Sequence, residues 1–392
     1  MTSIVLTARA LRALCDGFVA VLLPAYLLAL GHGQLEVGFL STATLMGSAL
    51  ATLAVGRWGH RFSLRRLLGC AAVLMAATGL GFASLTSLWP LLVVAFMGPL
   101  NPSGGDVSVF LPLEHSVLAG ATTTATRTSL FARYSFTGSI FGAIGALAAG
   151  VPDWLVSQGW SLLEALRAMF LVYAAVGVVV WLLYFRIPQP KVEEVRPPAA
   201  LGPSRGIVVK LAALFSVDSF AGGLVINALL ALWLFERFGM SLTAAGAFFF
   251  WTGTFSAVSQ LAAAPLARRI GLINTMVFTH IPASLCLIGA AFASSIEVTL
   301  GLLLARSLLS QMDVPARSAY VMSVVTPAER PAAASFTAVP RSLASAAGPA
   351  IAGAWLASGS LVAPLLACGV LKIAYDLALF ASFRRIAPRA NE

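Results

Sequence analysis

Four aspartates, Asp16, Asp106, Asp218 and Asp313, stand inside strongly apolar stretches of the chain. A carboxylate at the centre of a bilayer costs about 2.5–3.5 kcal/mol on insertion scales, so each retained one calls for a partner or a purpose. The chemistry open to such groups is proton uptake and release, or the binding of a polar or charged solute. Asp106 has the most informative setting, Asn101-Pro102-Ser103-Gly104-Gly105-Asp106, followed by Pro112 and Glu114. Proline removes a backbone donor and the glycine pair loosens a helix, so free carbonyls and a carboxylate should face a cavity rather than lipid. Glu114 reads as a solvated acid near a helix end.

Counter-charges are available. Arg133 and Arg341 are the expected partners of Asp106 and Asp313, or a pair that could grip an anionic group through two parallel bonds; Arg306 is a further cation. Arg127 and Arg317 read as cations that snorkel to the surface. Asn101, Asn227, Gln311 and Tyr134 supply neutral polar contacts of the kind that orient a ligand. The histidines, His32, His60, His115 and His280, look isolated, and there is no nucleophile triad, metal-ligand spacing or phosphate loop. The expectation is therefore a protein that is not an enzyme and carries no cofactor or metal. Cys15, Cys70, Cys286 and Cys368 are scattered singly and read as small buried hydrophobes.

The elements that must position these groups are membrane helices. Of 392 residues, 59% are hydrophobic and 10% charged, a balance suited to lipid as the solvent. Spans are expected near 8–30, 36–55, 67–86, 89–113, 128–149, 163–185, 208–235, 242–264, 274–293, 299–323, 333–357 and 362–383. The polar stretch Gln189–Pro198 reads as a linker, which divides the chain into an N-terminal six-helix bundle (1–186), a linker (187–206) and a C-terminal six-helix bundle (207–392).

The formal charge of +10 is distributed as a topology signal rather than as a nucleic-acid surface. Arg9 and Arg12, Arg57 to Arg66, Arg186 to Lys210, Arg268 and Arg269, Arg330, and Arg384 to Arg389 alternate with sides that carry little beyond Arg167 and Arg237. That bias puts both termini in the cytoplasm, and Asp16 marks the first apolar run as a retained span.

The two halves repeat at a spacing of 207–208 residues, and of 202 in their first helices. Gly56–Ser63 aligns with Ala264–Gly271, Asp106 with Asp313, Arg133 with Arg341, and Asp16-Gly17-Phe18 with Asp218-Ser219-Phe220. Both halves thus place an acid in their first and fourth helices, the parallel-repeat design in which a substrate site lies between halves.

The loop Gly56 to Leu67, G-R-W-G-H-R-F-S-L-R-R-L, resembles motif A of the major facilitator superfamily, with Arg61, Arg65 and Arg66 matching and His60 standing where the motif has Asp. Thr326–Arg330 resembles that family's P-x-E-R signature, and Gly348–Gly353 its G-P-x-x-x-G pattern, although Gly138, Gly142 and Gly145 of the fifth span lack the proline. The resemblance covers essentially the whole chain. It implies an all-α polytopic protein of twelve transmembrane helices in two pseudo-symmetric bundles. It also implies that the four acids line a central cavity, and that Gly56, His60, Arg61, Arg65 and Arg66, with Arg268 and Arg269, form a cytoplasmic gating loop.

The implied function is secondary transport of a small solute by alternating access, as proton-coupled efflux by a monomer in a bacterial inner membrane. Uncoupled or symport-type uptake and lipid translocation are the alternatives. The implied partners are a small-molecule substrate, protons and the bilayer, with no nucleic acid.

Overall fold

The computed structural model describes residues 1–104, 108–120, 124–188, 201–326 and 329–384. Asp106, most of the linker, and Arg385 and Arg389 lie outside them, as does the side chain of Arg127.

Sixteen α-helices occur among the described residues: α1 (Thr2–Ala29), α2 (Gln34–Trp58), α3 (Leu64–Ser84), α4 (Leu88–Met97), α5 (Phe110–Gly120), α6 (Thr124–Leu147), α7 (Val151–Ser157), α8 (Leu162–Phe185), α9 (Arg205–Gly223), α10 (Asn227–Phe238), α11 (Leu242–Ile270), α12 (Leu272–Phe292), α13 (Ile296–Leu309), α14 (Asp313–Val324), α15 (Arg330–Ala357) and α16 (Ala363–Phe383). Paired as α4/α5, α6/α7, α9/α10 and α13/α14, they make twelve spans. Among the described residues, eight helical stretches are long and apolar enough to cross a bilayer by themselves. Large apolar side chains such as Trp89, Val93 and Leu261 are more than half exposed, as lipid-facing residues are.

Three spans expected to be continuous are broken. Gly98-Pro99 ends α4, because a residue before proline is pushed out of the helical region. Gly222-Gly223 ends α9, and α13 gives way to α14 at Ser310–Met312. Irregular backbone at membrane depth survives only where protein or a cavity satisfies it. Here the Ala228 N–H at the start of α10 donates to the Pro102 carbonyl (3.1 Å), and Gly104, with φ +72°, leaves room for the Asn227 amide.

Helix ends obey local rules. After α1, the N–H of His32 returns to the Leu27 carbonyl (3.0 Å) and that of Gly31, at φ +86°, to Leu28 (2.9 Å), a left-handed glycine stop. The first helix starts at Thr2 rather than near residue 8, so Arg9 and Arg12 are not surface cations; they are 7% and 2% exposed.

The chain forms two compact units. The first comprises Met1–Glu193, Ile226–Gly253 and Pro349–Gly359; the second Glu194–Val225, Thr254–Gly348 and Ser360–Glu392. Within the first, α1 and α6 pack backbone to backbone. A Cβ on Gly17 would lie 2.1 Å from the Gly142 carbonyl oxygen, and one on Gly145 2.0 Å from that of Leu14. Its core joins Val5, Leu68, Phe110, Leu113, Val117, Val180 and Tyr184. In the second unit Val208, Phe215, Met276, Tyr320, Val324 and Leu379 form the corresponding core. The cysteines are not uniformly buried: Cys15 and Cys368 are, whereas Cys70 is exposed.

Candidate functional site

The richest polar constellation lies in the second unit, where α9, α12, α14 and α16 each contribute a buried ionisable side chain. Asp218 stands on α9, five residues before the helix stops at Gly223. His280 is on α12, two residues before Pro282, which removes a helical N–H and frees the carbonyl one turn back. Asp313 opens α14, where the helix N-terminus favours an acid, and Arg317 follows one turn later on the same face. Lys372 and Asp376 are likewise one turn apart on α16.

These side chains meet. The Lys372 ammonium donates to Asp218 Oδ1 (2.6 Å) and Arg317 Nη1 donates to Asp218 Oδ2 (3.0 Å), so one carboxylate joins three helices. Arg317 also lies 3.5 Å from Asp313 Oδ2. His280 stands between two acids, with Nδ1 3.1 Å from Asp376 Oδ1 and Nε2 3.8 Å from Asp218 Oδ1; the same Nε2 is 3.4 Å from Lys372 Nζ. Asp376 is fully buried, and both its oxygens lie 3.1 Å from His280 Nδ1. Ion pairs this deep need partners on every side, because desolvation alone outweighs a single contact.

A cavity of about 130 Å³ opens against this cluster, lined among others by Asp218, His280, Ser284, Arg306, Gln311, Asp313, Arg317 and Lys372. Arg341 on α15 stands beside it, its Nε donating to Ser219 Oγ (3.1 Å).

The first unit holds a different network. The Glu114 carboxylate, on α5, is fully buried and accepts from Arg12, from Tyr134 Oη (2.5 Å) and from Tyr184 Oη (2.5 Å). The Arg12 guanidinium lies 4.1 Å above the Phe110 ring, and that of Arg9 5.2 Å above Tyr134.

Several expectations are thereby corrected. Glu114 is not solvated but the centre of a closed network. Arg317 does not snorkel; it is 7% exposed and bridges Asp218 to Asp313, so Asp313 has its ion pair with Arg317 rather than Arg341. His280 is not isolated. Of the remaining candidates, Asp16 is half-buried on α1 and Arg133 is exposed on α6. Asn101 accepts from Ser103 N–H (3.1 Å) and Ser103 Oγ (2.6 Å), which caps the irregular segment after α4. Gln311 lines the cavity, whereas Asn227 belongs to the first unit.

The loop residues Gly56, His60, Arg61 and Arg66 are exposed, and Arg65 stacks on Phe185 at 4.2 Å. Arg268 and Arg269 are exposed at the end of α11. Lys372 and Asp376 were not among the expected site residues. Two unlike charges one helical turn apart inside the last apolar span, Lys372-Ile373-Ala374-Tyr375-Asp376, were the available signal.

The family model of the Major Facilitator Superfamily matches residues 5–310, and the chain belongs to that superfamily of transporters. A curated relative is 23% identical over 410 residues, covering 95% of this chain and 92% of the other: the Saccharomyces cerevisiae protein "Uncharacterized membrane protein YJR124C". Among solved structures, the chain is similar to a bacterial homologue of the human lysosomal transporter Spinster (TM-score 0.77, 14% identity, 98% of this chain and 97% of that one). It is also similar to the D-xylose-proton symporter (TM-score 0.76, 15% identity, 97% and 96%). A third is the nucleoside transporter NupG (TM-score 0.74, 15% identity, 98% and 99%). At these identities the likeness is one of fold: twelve helices in two pseudo-symmetric six-helix bundles.

Proposed function

We propose that this superfamily transporter couples movement of its small solute to protons at the Asp218–His280–Asp376 group. The observation that carries the reading is His280, whose two ring nitrogens each face a carboxylate inside a buried cluster. Whichever nitrogen bears hydrogen, an imidazole so placed can exchange a proton with Asp376 beside the Asp218 charge. Lys372 and Arg317 hold Asp218 as the charged anchor, and a proton gained or lost at His280 or Asp376 changes what those cations must balance. A ligand or proton with different affinity for two conformations shifts the population between them, which is the requirement of alternating access.

The direction we infer is export, on the resemblance of the Gly56–Leu67 loop and of Gly348–Gly353 to motifs of exporting members. The arrangement we favour is a monomer in a bacterial inner membrane with cytoplasmic termini and six-helix halves at 1–186 and 207–392. Asp16 and Asp106 belong to the proposal as further cavity acids of the first half. The exposed cations near Gly56–Arg66 and at Arg268 and Arg269 belong to it as gating elements.

The test is solute flux in proteoliposomes with an imposed pH gradient, comparing the native chain with His280→Gln and Asp376→Asn. The ionisable groups around His280 are Asp218, Arg306, Asp313, Arg317 and Lys372 on the same cavity wall, with Tyr375 and Asp376 packed against its ring. Coupling at this cluster predicts gradient-driven flux in the native chain, and exchange without gradient response in either variant. Gradient-driven flux that survives both substitutions would move coupling elsewhere, with Asp16 and Asp106 next in line. Net outward flux down an inward proton gradient supports export, and net inward flux overturns it.

A further inference from the structure

Two groups on the cavity wall are without side-chain partners. The Arg306 side chain, on α13, lines the cavity half-buried and makes no hydrogen bond or ion pair among the described residues. An arginine in a membrane span that pairs with nothing is costly, and such groups mark ligand and ion paths. Ser284, on α12, is 2% exposed, lines the same cavity, and its hydroxyl has no hydrogen-bond partner. A buried hydroxyl left unsatisfied costs about 1–3 kcal/mol, which a bound acceptor would recover.

Charge points the same way. Around the cavity stand the cations Arg306, Arg317, Arg341 and Lys372 and the carboxylates Asp218, Asp313 and Asp376. With His280 neutral, one positive charge is left over; neither Arg306 nor Arg341 is ion-paired to a carboxylate among the described residues, Arg341 is bonded to Ser219, and Arg306 is the one that lines the cavity. The acids are committed: Asp218 to Lys372 and Arg317, Asp313 to Arg317, and Asp376 to His280.

Resting on the transport reading, we infer that the solute is a small organic monoanion of the carboxylate class, bound with its carboxylate between Arg306 and the Ser284 hydroxyl. A guanidinium offers a planar fork of donors that matches a carboxylate with two parallel bonds, and the hydroxyl adds a third donor. The cavity, about 130 Å³, is slightly smaller than an engineered one of about 150 Å³ that takes benzene, so it holds roughly six non-hydrogen atoms. That is the size of a short-chain carboxylate, or of the anionic end of a longer one.

The experiment is binding to the purified chain, read by calorimetry and thermal stabilisation. The probes are acetate, lactate and pyruvate, the neutral amides acetamide and lactamide, and chloride and inorganic phosphate as ionic controls. The native chain, Arg306→Gln, Arg306→Lys, Ser284→Ala and, as a control away from the cavity, Arg186→Gln, at an exposed position after α8, are compared. Carboxylates are expected to stabilise the native chain and Arg186→Gln. Amides and inorganic ions should not, and Arg306→Gln should weaken carboxylate binding roughly tenfold or more. Arg306→Lys should lie between, because it keeps the charge and loses the fork.

Equal binding of acids and their amides, equal stabilisation by chloride or phosphate, or carboxylate affinity unchanged in Arg306→Gln would each overturn the inference. If Arg306→Gln does not fold, Ser284→Ala and the probe series decide: unchanged affinity in Ser284→Ala counts against the site. Counterflow of a neutral or cationic solute by a chain that binds no carboxylate would sink this inference while leaving the transport reading intact. A chain that binds carboxylates at Arg306 but moves no solute would do the reverse.

Discussion

Each compact unit buries a charge network, and the two are built to different ends. Around Glu114 every carboxylate oxygen has its donor: Arg12 and Tyr134 on one, Tyr184 on the other. The arginine is further held against the Phe110 ring. Phenol hydroxyls keep their protons at physiological pH, so this network has one stable arrangement. Around Asp218 the partners include a histidine between two acids and a cavity with an unpaired arginine on its wall. A carboxylate with a donor on each oxygen holds helices in place, whereas a cluster with a titratable bridge and a cavity beside it can change its proton count or accept a ligand.

The sharpest way to break the comparison is to remove the central acid of each. Asp218→Asn and Glu114→Gln should each cost about 3–5 kcal/mol in stability, because each strands a buried cation. They should then part company. Glu114→Gln protein that folds keeps the native pH profile of transport, while Asp218→Asn loses solute movement. A Glu114→Gln profile displaced as far as that of His280→Gln would erase the distinction.

Smaller changes sharpen it. Tyr184→Phe leaves Glu114 Oε1 without its donor and should lower stability by about 1–3 kcal/mol with transport per folded molecule unchanged. Gly145→Val tests the close α1–α6 seam of the first unit. Its side chain would meet the Leu14 carbonyl, so a loss of about 1–3 kcal/mol is expected in thermal unfolding. A neutral result would mean that the two helices can separate freely.

The smallest effect is expected at Glu329, outside the spans. Its Oε1 accepts from Gly202 N–H (2.6 Å) and Ser204 N–H (3.3 Å) at the start of α9, and its Oε2 from Thr326 Oγ1 (2.6 Å). These hydrogen bonds push its carboxyl down to about 2 from an ordinary 4.5. A group lowered on folding adds stability that is complete above its unfolded value and is lost as pH falls toward its folded one. The native melting temperature should therefore drop more steeply than that of Glu329→Gln between about pH 5 and pH 3. Parallel curves would mean that the contact contributes nothing to the fold.

The membrane class, the number of spans and the membership of Asp218 and Asp313 in a polar site were legible in the sequence. Apolar length sets helix count, and an acid in an apolar run is conspicuous by itself. The P-x-E-R resemblance likewise drew notice to Glu329. The helix breaks were harder to read. Hydropathy averages over Gly98-Pro99 and Gly222-Gly223, whose irregular backbone is tolerated because residues distant in sequence satisfy it, as Pro102 does for Ala228.

Pairing was not legible at all, since charge identity says nothing about which helices adjoin. Repeat symmetry suggested Arg341 for Asp313, but one turn of α14 brings Arg317 closer, and Asp218 draws it inward. Repeat symmetry likewise gives no hint of Lys372 and Asp376, which the other half does not mirror. The sequence by itself thus determined that polar groups are carried into the membrane, because composition sets what must be buried. Only the tertiary structure decided that His280 meets two acids and that Arg306 meets none, because the packing of α9, α12, α14 and α16 brings together residues far apart in the chain.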